Sequence, residues 1–340
     1  MKITLKDVAE LAGVSRSAVS RTFTEGASVS DKTRQKVEQA AHQLGYHPNA
    51  LASGLSTGRT KLIGLISNNF HNPIFLEVFD RFTRGLQEYG FRPLIVNLTD
   101  ETDPAQSIRL LRQYSVDGVV VASSTLPPSF VQAFHDAGLP VVHAFGRVVS
   151  DPDFHVIGID NVDCGRLAAR ALVERGYRRI GFLGGPRFAT STQDRLVGFL
   201  EVAASLSEVS ATQSFAEAYS FDAGRAEMLR LIRQETCLAE AYFCGDDILS
   251  IGAMSALESE GVAVPGEVGI IGLNDMEMAR WHNIDLTTIH QPIGEIIMTT
   301  VELIVEILST ETCPPSVRLF PCPLVERGTL RPSQAISRSA

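Results

Sequence analysis

Thr4-Leu-Lys-Asp-Val-Ala-Glu-Leu-Ala-Gly-Val-Ser-Arg-Ser-Ala-Val-Ser-Arg21 is the stretch that decides the reading of this chain. Thr4 followed by Asp7 has the spacing of an N-cap with a reciprocating carboxylate. Leu5, Val8, Ala9 and Leu11/Ala12 recur at helical spacing, and Gly13 ends the pattern. Ser15 is placed to cap a second helix, on which Val19 and Phe23 face inward while Arg16, Ser17, Ser20 and Arg21 point outward together. Two short helices about a Gly turn, the second with a basic outer face, read as a helix-turn-helix. An ordinary helical hairpin with a solvated basic face fits the same residues.

Outward from that hairpin, Ser30-Asp31 opens a third helix whose acidic first turn suits the helix dipole. Its Val37, Ala40, Ala41 and Leu44 form an apolar stripe, and Gly45 closes it. Residues 47–60 form a join. Asn49 can cap a helix over Ala50–Leu55, too short to stand alone in water. It reads either as a plain linker or as a segment that folds against DNA.

From Lys61 the pattern becomes apolar strand, helix, Gly, apolar strand. Strands are expected at Leu62–Ile66, Leu94–Leu98, Val116–Ala122 and Pro140–Phe145, with helices near Pro73–Tyr89, Pro104–Tyr114 and Pro128–Ala137. A second series starts at Arg179, with helices near Ser191–Ala204, Phe221–Arg233, Asp247–Glu260 and Pro292–Leu308, and strands near Ala239–Phe243 and Val268–Gly272. Continuous apolar strands are those of a parallel sheet covered on both faces. Two doubly wound lobes leave a cleft, where ligands meet the carboxyl ends of strands.

The net charge of −9 looks wrong for a nucleic-acid binder until it is divided. Residues 1–60 carry eight Lys/Arg against five Asp/Glu, whereas the remainder carries 22 against 34. A basic head on an acidic body confines DNA binding to the head. Cys164, Cys237, Cys244, Cys313 and Cys322 show no C-x-x-C spacing and read as free thiols in a reducing cytoplasm. Lys6, Asp7 and Glu10 interrupt any apolar signal core, and no apolar run reaches membrane-spanning length. A cytoplasmic protein with no membrane partner is expected.

The chain resembles the LacI/GalR family of bacterial transcription regulators from Leu5 to about Arg331. The matching motifs include Lys6-Asp-Val-Ala-x-x-Ala-Gly-Val-Ser15, Ala18-Val-Ser-Arg21, Leu44-Gly-Tyr-x-Pro-Asn-Ala50, Asp160-Asn161, Arg195-x-x-Gly-Phe199 and Leu286-Thr-Thr-Ile-x-Gln-Pro292. The resemblance implies an N-terminal all-α helix-turn-helix head (1–46), a hinge helix and linker (47–60) and an α/β periplasmic-binding-protein-like body (61–331). That body would hold two doubly wound parallel-sheet lobes, the first about 61–161 and 292–321, the second about 162–291 and 322–331. Residues 332–340 form a tail without the leucine heptad of tetrameric members, so a homodimer on a near-palindromic operator is expected.

Carried over residue by residue, the base-reading positions fall on Arg16, Ser17 and Arg21, with Leu5 and Ser20 beside them on the DNA-binding surface. Arg forks suit guanine edges, while a Ser hydroxyl discriminates less. Ser15, Thr33 and Tyr46 match phosphate-holding positions. In the hinge, Asn49 opens the helix, Ala52 meets the minor groove and Leu55 is the wedge that unstacks a base step. In the effector pocket, Arg195 and Asp246 match positions that hold sugar hydroxyls, Ile74 and Phe75 the first-lobe wall, and Tyr219 a stacking ring. Ser123, Ser124, Phe145, Ser191, Asn274 and Trp281 extend the set. Asn274 stands where many members have Asp, and Phe145-Gly-Arg147 where others have an acid, which keeps an anionic effector in play. Taken singly, Trp281 and Phe145 read as core residues, Asp247 as a helix cap and Arg147 as a salt-bridge partner.

The expected function is a ligand-responsive transcriptional repressor of carbohydrate-utilisation or carbon-metabolism genes, with a sugar effector favoured by family frequency. A cytoplasmic solute-binding protein and a regulator sensing a sugar phosphate or organic acid are the alternatives. No H-E-x-x-H, phosphate-binding loop, G-x-S-x-G or dinucleotide fingerprint occurs, so no catalytic residue, metal or cofactor is expected.

Overall fold

A computed structural model of the chain describes residues 3–24, 26–47, 54, 59–68, 70–98, 103–234, 238–310 and 313–333. It forms two compact units, Met1–Leu62 with Ser115–Asp117, and Ile63–Tyr114 with Gly118–Ala340.

The first unit holds α1 (Leu5–Ala12), α2 (Arg16–Thr22) and α3 (Asp31–Leu44). The Asp7 carboxylate accepts from the Thr4 N–H and hydroxyl, both at 2.7 Å, and these bonds hold its pKa below the ordinary value. Gly13 (φ 64°) turns the chain in the left-handed region, which a side chain would resist. Ser15 then accepts from Ala18 N–H at 3.2 Å and starts α2. Val8, Ala9, Val19, Val37, Ala40 and Ala41 form the buried core, closed by the rings of Phe23 and Tyr46 at 5.9 Å.

The second unit is built on two six-stranded sheets. The first has the order β11-β5-β4-β3-β1-β2 and the second β12-β10-β9-β8-β6-β7. Their strands are β1 (Leu62–Ser67), β2 (Arg92–Asn97), β3 (Gly118–Ala122), β4 (Val141–Ala144), β5 (His155–Ile159) and β11 (Val317–Phe320) in the first lobe. The second lobe has β6 (Arg179–Gly184), β7 (Ser210–Phe215), β8 (Ala241–Cys244), β9 (Gly269–Asn274), β10 (Thr288–His290) and β12 (Leu324–Val325). Pairing is parallel from β1 through β3, β4 and β5 to β11, and from β7 through β6, β8 and β9 to β10; β12 is antiparallel to β10. The inner strands β3, β4, β5, β8 and β9 are buried along their whole length, as helices on both faces require.

First-lobe helices are α4 (Ile74–Glu88), α5 (Pro104–Gln113), α6 (Pro128–Asp136) and α11 (Ile293–Ser309). The last packs on α4, β3, β4 and β5. Second-lobe helices are α7 (Asn161–Glu174), α8 (Thr190–Ala204), α9 (Phe221–Gln234) and α10 (Asp247–Ser259). Helices α7 and α8 cross where Gly165 and Gly198 meet. A Cβ on Gly198 would stand 1.8 Å from the Val162 carbonyl oxygen, and one on Gly165 2.0 Å from that of Arg195. The glycine of the Arg195-x-x-Gly-Phe199 motif is therefore a requirement of backbone approach.

The chain passes between lobes three times, between β5 and α7, between β10 and α11, and between β11 and β12. The strands β5, β7, β10, β11 and β12 and the helix α7 were not singled out in the sequence. Among the described residues, no helix is long and apolar enough to cross a membrane.

Candidate functional sites

In the head, Arg16, Ser17, Ser20 and Arg21 are all exposed on α2. The Ser15 hydroxyl caps the helix and lies 2.9 Å from the Ser17 hydroxyl. Thr33 pairs its hydroxyl with Ser30 at 2.9 Å. Leu5 is half-buried against the head core, and so is Tyr46. Asn49, Ala52 and Leu55 lie outside the described residues.

The body holds a partly open cavity at the carboxyl ends of the strands. Of the residues singled out in the sequence, Ile74, Phe75, Ser124, Phe145, Arg195, Tyr219, Asp246 and Asn274 line it. Asn72, Val78, Gln291 and Ile293 line it as well and were missed in that role. The available signals were Asn72 just ahead of the helix-opening Pro73, and Gln291 inside the Leu286–Pro292 motif.

Asp246 is the centre of the polar wall. It caps α10 by accepting from Ile248 N–H at 2.9 Å. Its other oxygen accepts from Asn72 Nδ2 of the first lobe at 2.8 Å and from Asn274 Nδ2 at 2.9 Å. Burial pushes its pKa up to about 6, against the lowering effects of these bonds and of Arg195. The cap assigned to Asp247 belongs to Asp246. Asp247 points inward, accepting from Met276 N–H at 2.8 Å and from the Thr288 hydroxyl at 2.5 Å. Burial pushes the Asp247 pKa up to about 7.

Arg195, 3 % exposed, is oriented from behind: Nε donates to Asn161 Oδ1 at 2.8 Å and Nη1 to the Gly245 carbonyl. Tyr219 is fixed by its hydroxyl, 2.6 Å from Thr192 Oγ1 and 3.2 Å from Ser191 Oγ. Phe145 (φ 63°) and Asn274 (φ 127°) hold left-handed backbone conformations, strain that clusters at the cavity wall.

Four of the candidate residues are not brought to the cavity. Ser123 lies behind the wall, donating to Asn68 Oδ1 at 2.9 Å. Ser191 supports Tyr219, while its N–H donates across the cleft to the Ser124 carbonyl at 3.1 Å. Arg147 is engaged by Asp194 of the second lobe, with Nε 3.0 Å from both carboxylate oxygens and Nη2 on the same group. Trp281 is neither core nor cavity wall: it ends the 3₁₀ turn Glu277–Arg280 and stands half exposed in a surface groove with Leu76 and His290.

A three-helix head with a basic outer helix, joined in sequence to two lobes closed over a polar and aromatic cavity, defines a ligand-responsive DNA-binding regulator. The chain belongs to the LacI family of bacterial regulatory proteins. The family's own pattern matches residues 4–49, and that of the periplasmic binding protein-like domain matches residues 169–330. The chain is 30% identical to the HTH-type transcriptional repressor PurR of Actinobacillus pleuropneumoniae over 96% of its own length and 98% of that protein. It is 34% identical to the repressor of the same name from Edwardsiella ictaluri, over 85% of each chain. Among solved structures it is similar to the lac repressor dimer bound to operator and the anti-inducer ONPF, with a TM-score of 0.85, 25% identity and coverage of 97% and 99%. It is also similar to the transcriptional regulator CelR–cellobiose complex, with a TM-score of 0.71, 27% identity and coverage of 96% and 100%. The protein is a DNA-binding transcriptional repressor regulated by effector binding, and not an enzyme.

Proposed function

We propose that the effector is a small neutral polyhydroxylated molecule, a sugar, and that the genes controlled serve carbohydrate use. The observation that carries this reading is the charge state of the cavity wall. Its one acid, Asp246, and its one cation, Arg195, offset each other, and the remaining polar groups are the amides of Asn72, Asn274 and Gln291 and the Ser124 hydroxyl. Arg147, the cation that would favour an anionic effector, is neutralised by Asp194. Amides and one acceptor–donor pair suit hydroxyls, which both donate and accept. Phe75, Phe145 and Tyr219 supply apolar faces for the ring.

A purine base is the second reading. The same three aromatic rings favour it, as does the similarity to repressors named PurR. Thermal shift and titration calorimetry with neutral saccharides, purine bases and sugar phosphates separate the readings. A ligand at 100 times its dissociation constant stabilises the body by about 2.7 kcal/mol. A saccharide response supports the first reading, and a response to bases alone replaces it with the second. A response to sugar phosphates alone refutes the neutral wall.

On this reading the protein works in the cytoplasm as a homodimer on a near-palindromic operator. Arg16, Ser17 and Arg21, flanked by Leu5 and Ser20, read bases; Ser15, Thr33 and Tyr46 hold phosphates. Asn49, Ala52 and Leu55 form the hinge contact with the minor groove. The effector replaces the direct Asn72–Asp246 bond across the cleft with its own bridges and so selects one lobe arrangement. A coupling of roughly 1–3 kcal/mol between cavity and head suffices for 5- to 150-fold control of DNA affinity.

A further inference from the structure

The first turn of α11 meets a cation. Among the described residues, the N–H groups of Gly294 and Glu295 in that turn have no acceptor. Over the turn lies the guanidinium of Arg81, on α4: a Cβ built on Gly294 would stand 3.1 Å from its Nη1. Arg81 Nε donates to Glu77 Oε1 at 2.8 Å, and both Nη groups are left without a partner among the described residues. An arginine beside the positive end of a 17-residue helix stands against the dipole rather than with it. Two sets of donors thus converge with no acceptor between them.

A third donor joins them from the passage between β10 and α11. Gln291 is 7 % exposed, and its side-chain amide has no hydrogen-bond partner among the described residues. It lines both the cavity described above and a second hollow, whose wall also holds Arg81, Gly294, Glu295 and His290. We propose that this second hollow binds a phosphate group, free or carried by a small metabolite, at a site separate from the effector cavity. Arg81 Nη, the Gly294 and Glu295 N–H groups and the Gln291 amide are its donors.

The acids of the wall are engaged elsewhere or lie in water. Glu77 is the partner of Arg81 Nε, and Asp275 lies 3.0 Å from His290 Nδ1 and pairs with Arg327. Glu295 is exposed, so solvent and salt screen it. A side chain at position 294 would press on Arg81 Nη1, which gives Gly294 a reason in the geometry of the site. The donors also come from both sides of the lobe junction. Arg81 and α11 belong to the first lobe, whereas Gln291 follows β10 of the second. A bound phosphate therefore favours this lobe arrangement and acts as an input beside the effector. Asn274, Gln291 and Ile293 are walls of both hollows, so the two sites adjoin.

The test is phosphorus NMR and calorimetric titration of inorganic phosphate into the full-length chain at fixed ionic strength. Phosphate should bind the parent, and Arg81→Gln should weaken it about 10-fold or more. Gln291→Ala should also weaken it, and Arg109→Gln, on an exposed face of α5, should leave it unchanged. The Arg81 side chain is 49 % exposed, so its loss opens no core, and unchanged melting of each variant checks this. Glucose-6-phosphate separates the sources. Affinity equal to that of inorganic phosphate assigns the site to the free ion, and tighter, Arg81-dependent binding assigns it to a carried group. The proposal is overturned if phosphate does not bind the folded parent, or if Arg81→Gln binds it equally well. Inorganic phosphate has no ring, so that failure leaves the neutral-sugar reading standing, and a chain that binds no saccharide leaves this site untouched.

Discussion

Asp246→Asn places opposing effects at one position, and their sizes decide the outcome. The folded protein ionises a carboxyl whose pKa burial has raised from 3.8 to about 6. Relative to the unfolded chain, ionisation at pH 7 therefore costs about 3 kcal/mol, a cost absent below pH 4. The sign follows: stability from this group is fully present below the unfolded pKa and is lost as pH rises through the folded one. Asparagine carries no charge, but its amide nitrogen cannot accept. Either Ile248 N–H or the Asn72 and Asn274 amides lose their acceptor, costing about 1–3 kcal/mol per orphaned donor. The variant should thus be less stable than the parent near pH 4 and close to it near pH 7. The difference between them should move by about 3 kcal/mol across that window. Urea denaturation of both proteins at half-unit pH steps measures this directly. A difference that stays constant from pH 4 to pH 7 refutes a buried, raised carboxyl at this position. In the parent, effector affinity should rise between pH 5 and 7 as the acceptor becomes charged. In the variant it should be flat and about 10- to 150-fold weaker.

Three other substitutions test separate parts of the molecule. The Arg147–Asp194 pair, 32 % and 14 % exposed at the side chain, spans the cleft, so a double-mutant cycle with alanines should show roughly 0.5–3 kcal/mol of coupling. No coupling by chemical denaturation would leave the pair without a role in lobe closure. Gly198→Ala should cost more than about 3 kcal/mol or prevent folding, since its Cβ meets the Val162 carbonyl; a soluble variant with unchanged melting would contradict the α7–α8 crossing. Arg21→Ala should weaken operator binding by about 1–3 kcal/mol and relax one base position in a selection experiment. Equal weakening on random DNA would make Arg21 a phosphate contact.

Local chemistry made much of this legible. The caps at Thr4 and Ser15, the turn at Gly13 and the buried runs of β3 and β8 announce themselves, because a short segment contains the whole signal. Two of the missed strands fail that condition, whereas β5 (His155–Ile159), buried along its length, carried an apolar run and was overlooked. β7 (Ser-Ala-Thr-Gln-Ser-Phe) and β11 (Val-Arg-Leu-Phe) are edge strands with mostly exposed side chains, so no apolar run marks them. In the cavity, Arg195, Asp246 and Tyr219 could be named from residue type and motif. The parts set by distant sequence could not. Asn72 reaches Asp246 from 174 positions away, and Arg147 meets Asp194 from 47 away. Trp281 shows the converse error: bulk and aromaticity suggested an interior role, yet a one-turn helix leaves it at the surface.

The late passage from β11 to β12 sets an order of assembly. Each sheet takes an outer strand from residues 317–325, so neither lobe is complete while that segment is still inside the ribosome. The head, whose core lies within residues 5–46, can fold as soon as it emerges. A nascent chain could therefore present a finished DNA-reading head above two lobes that each lack one edge. Arrest at residue 315 should leave both β5 and β10 with an open side. Such chains would be substrates for chaperones or for pairing with a neighbour's strand, and competence to respond to effector arrives only with the last few dozen residues.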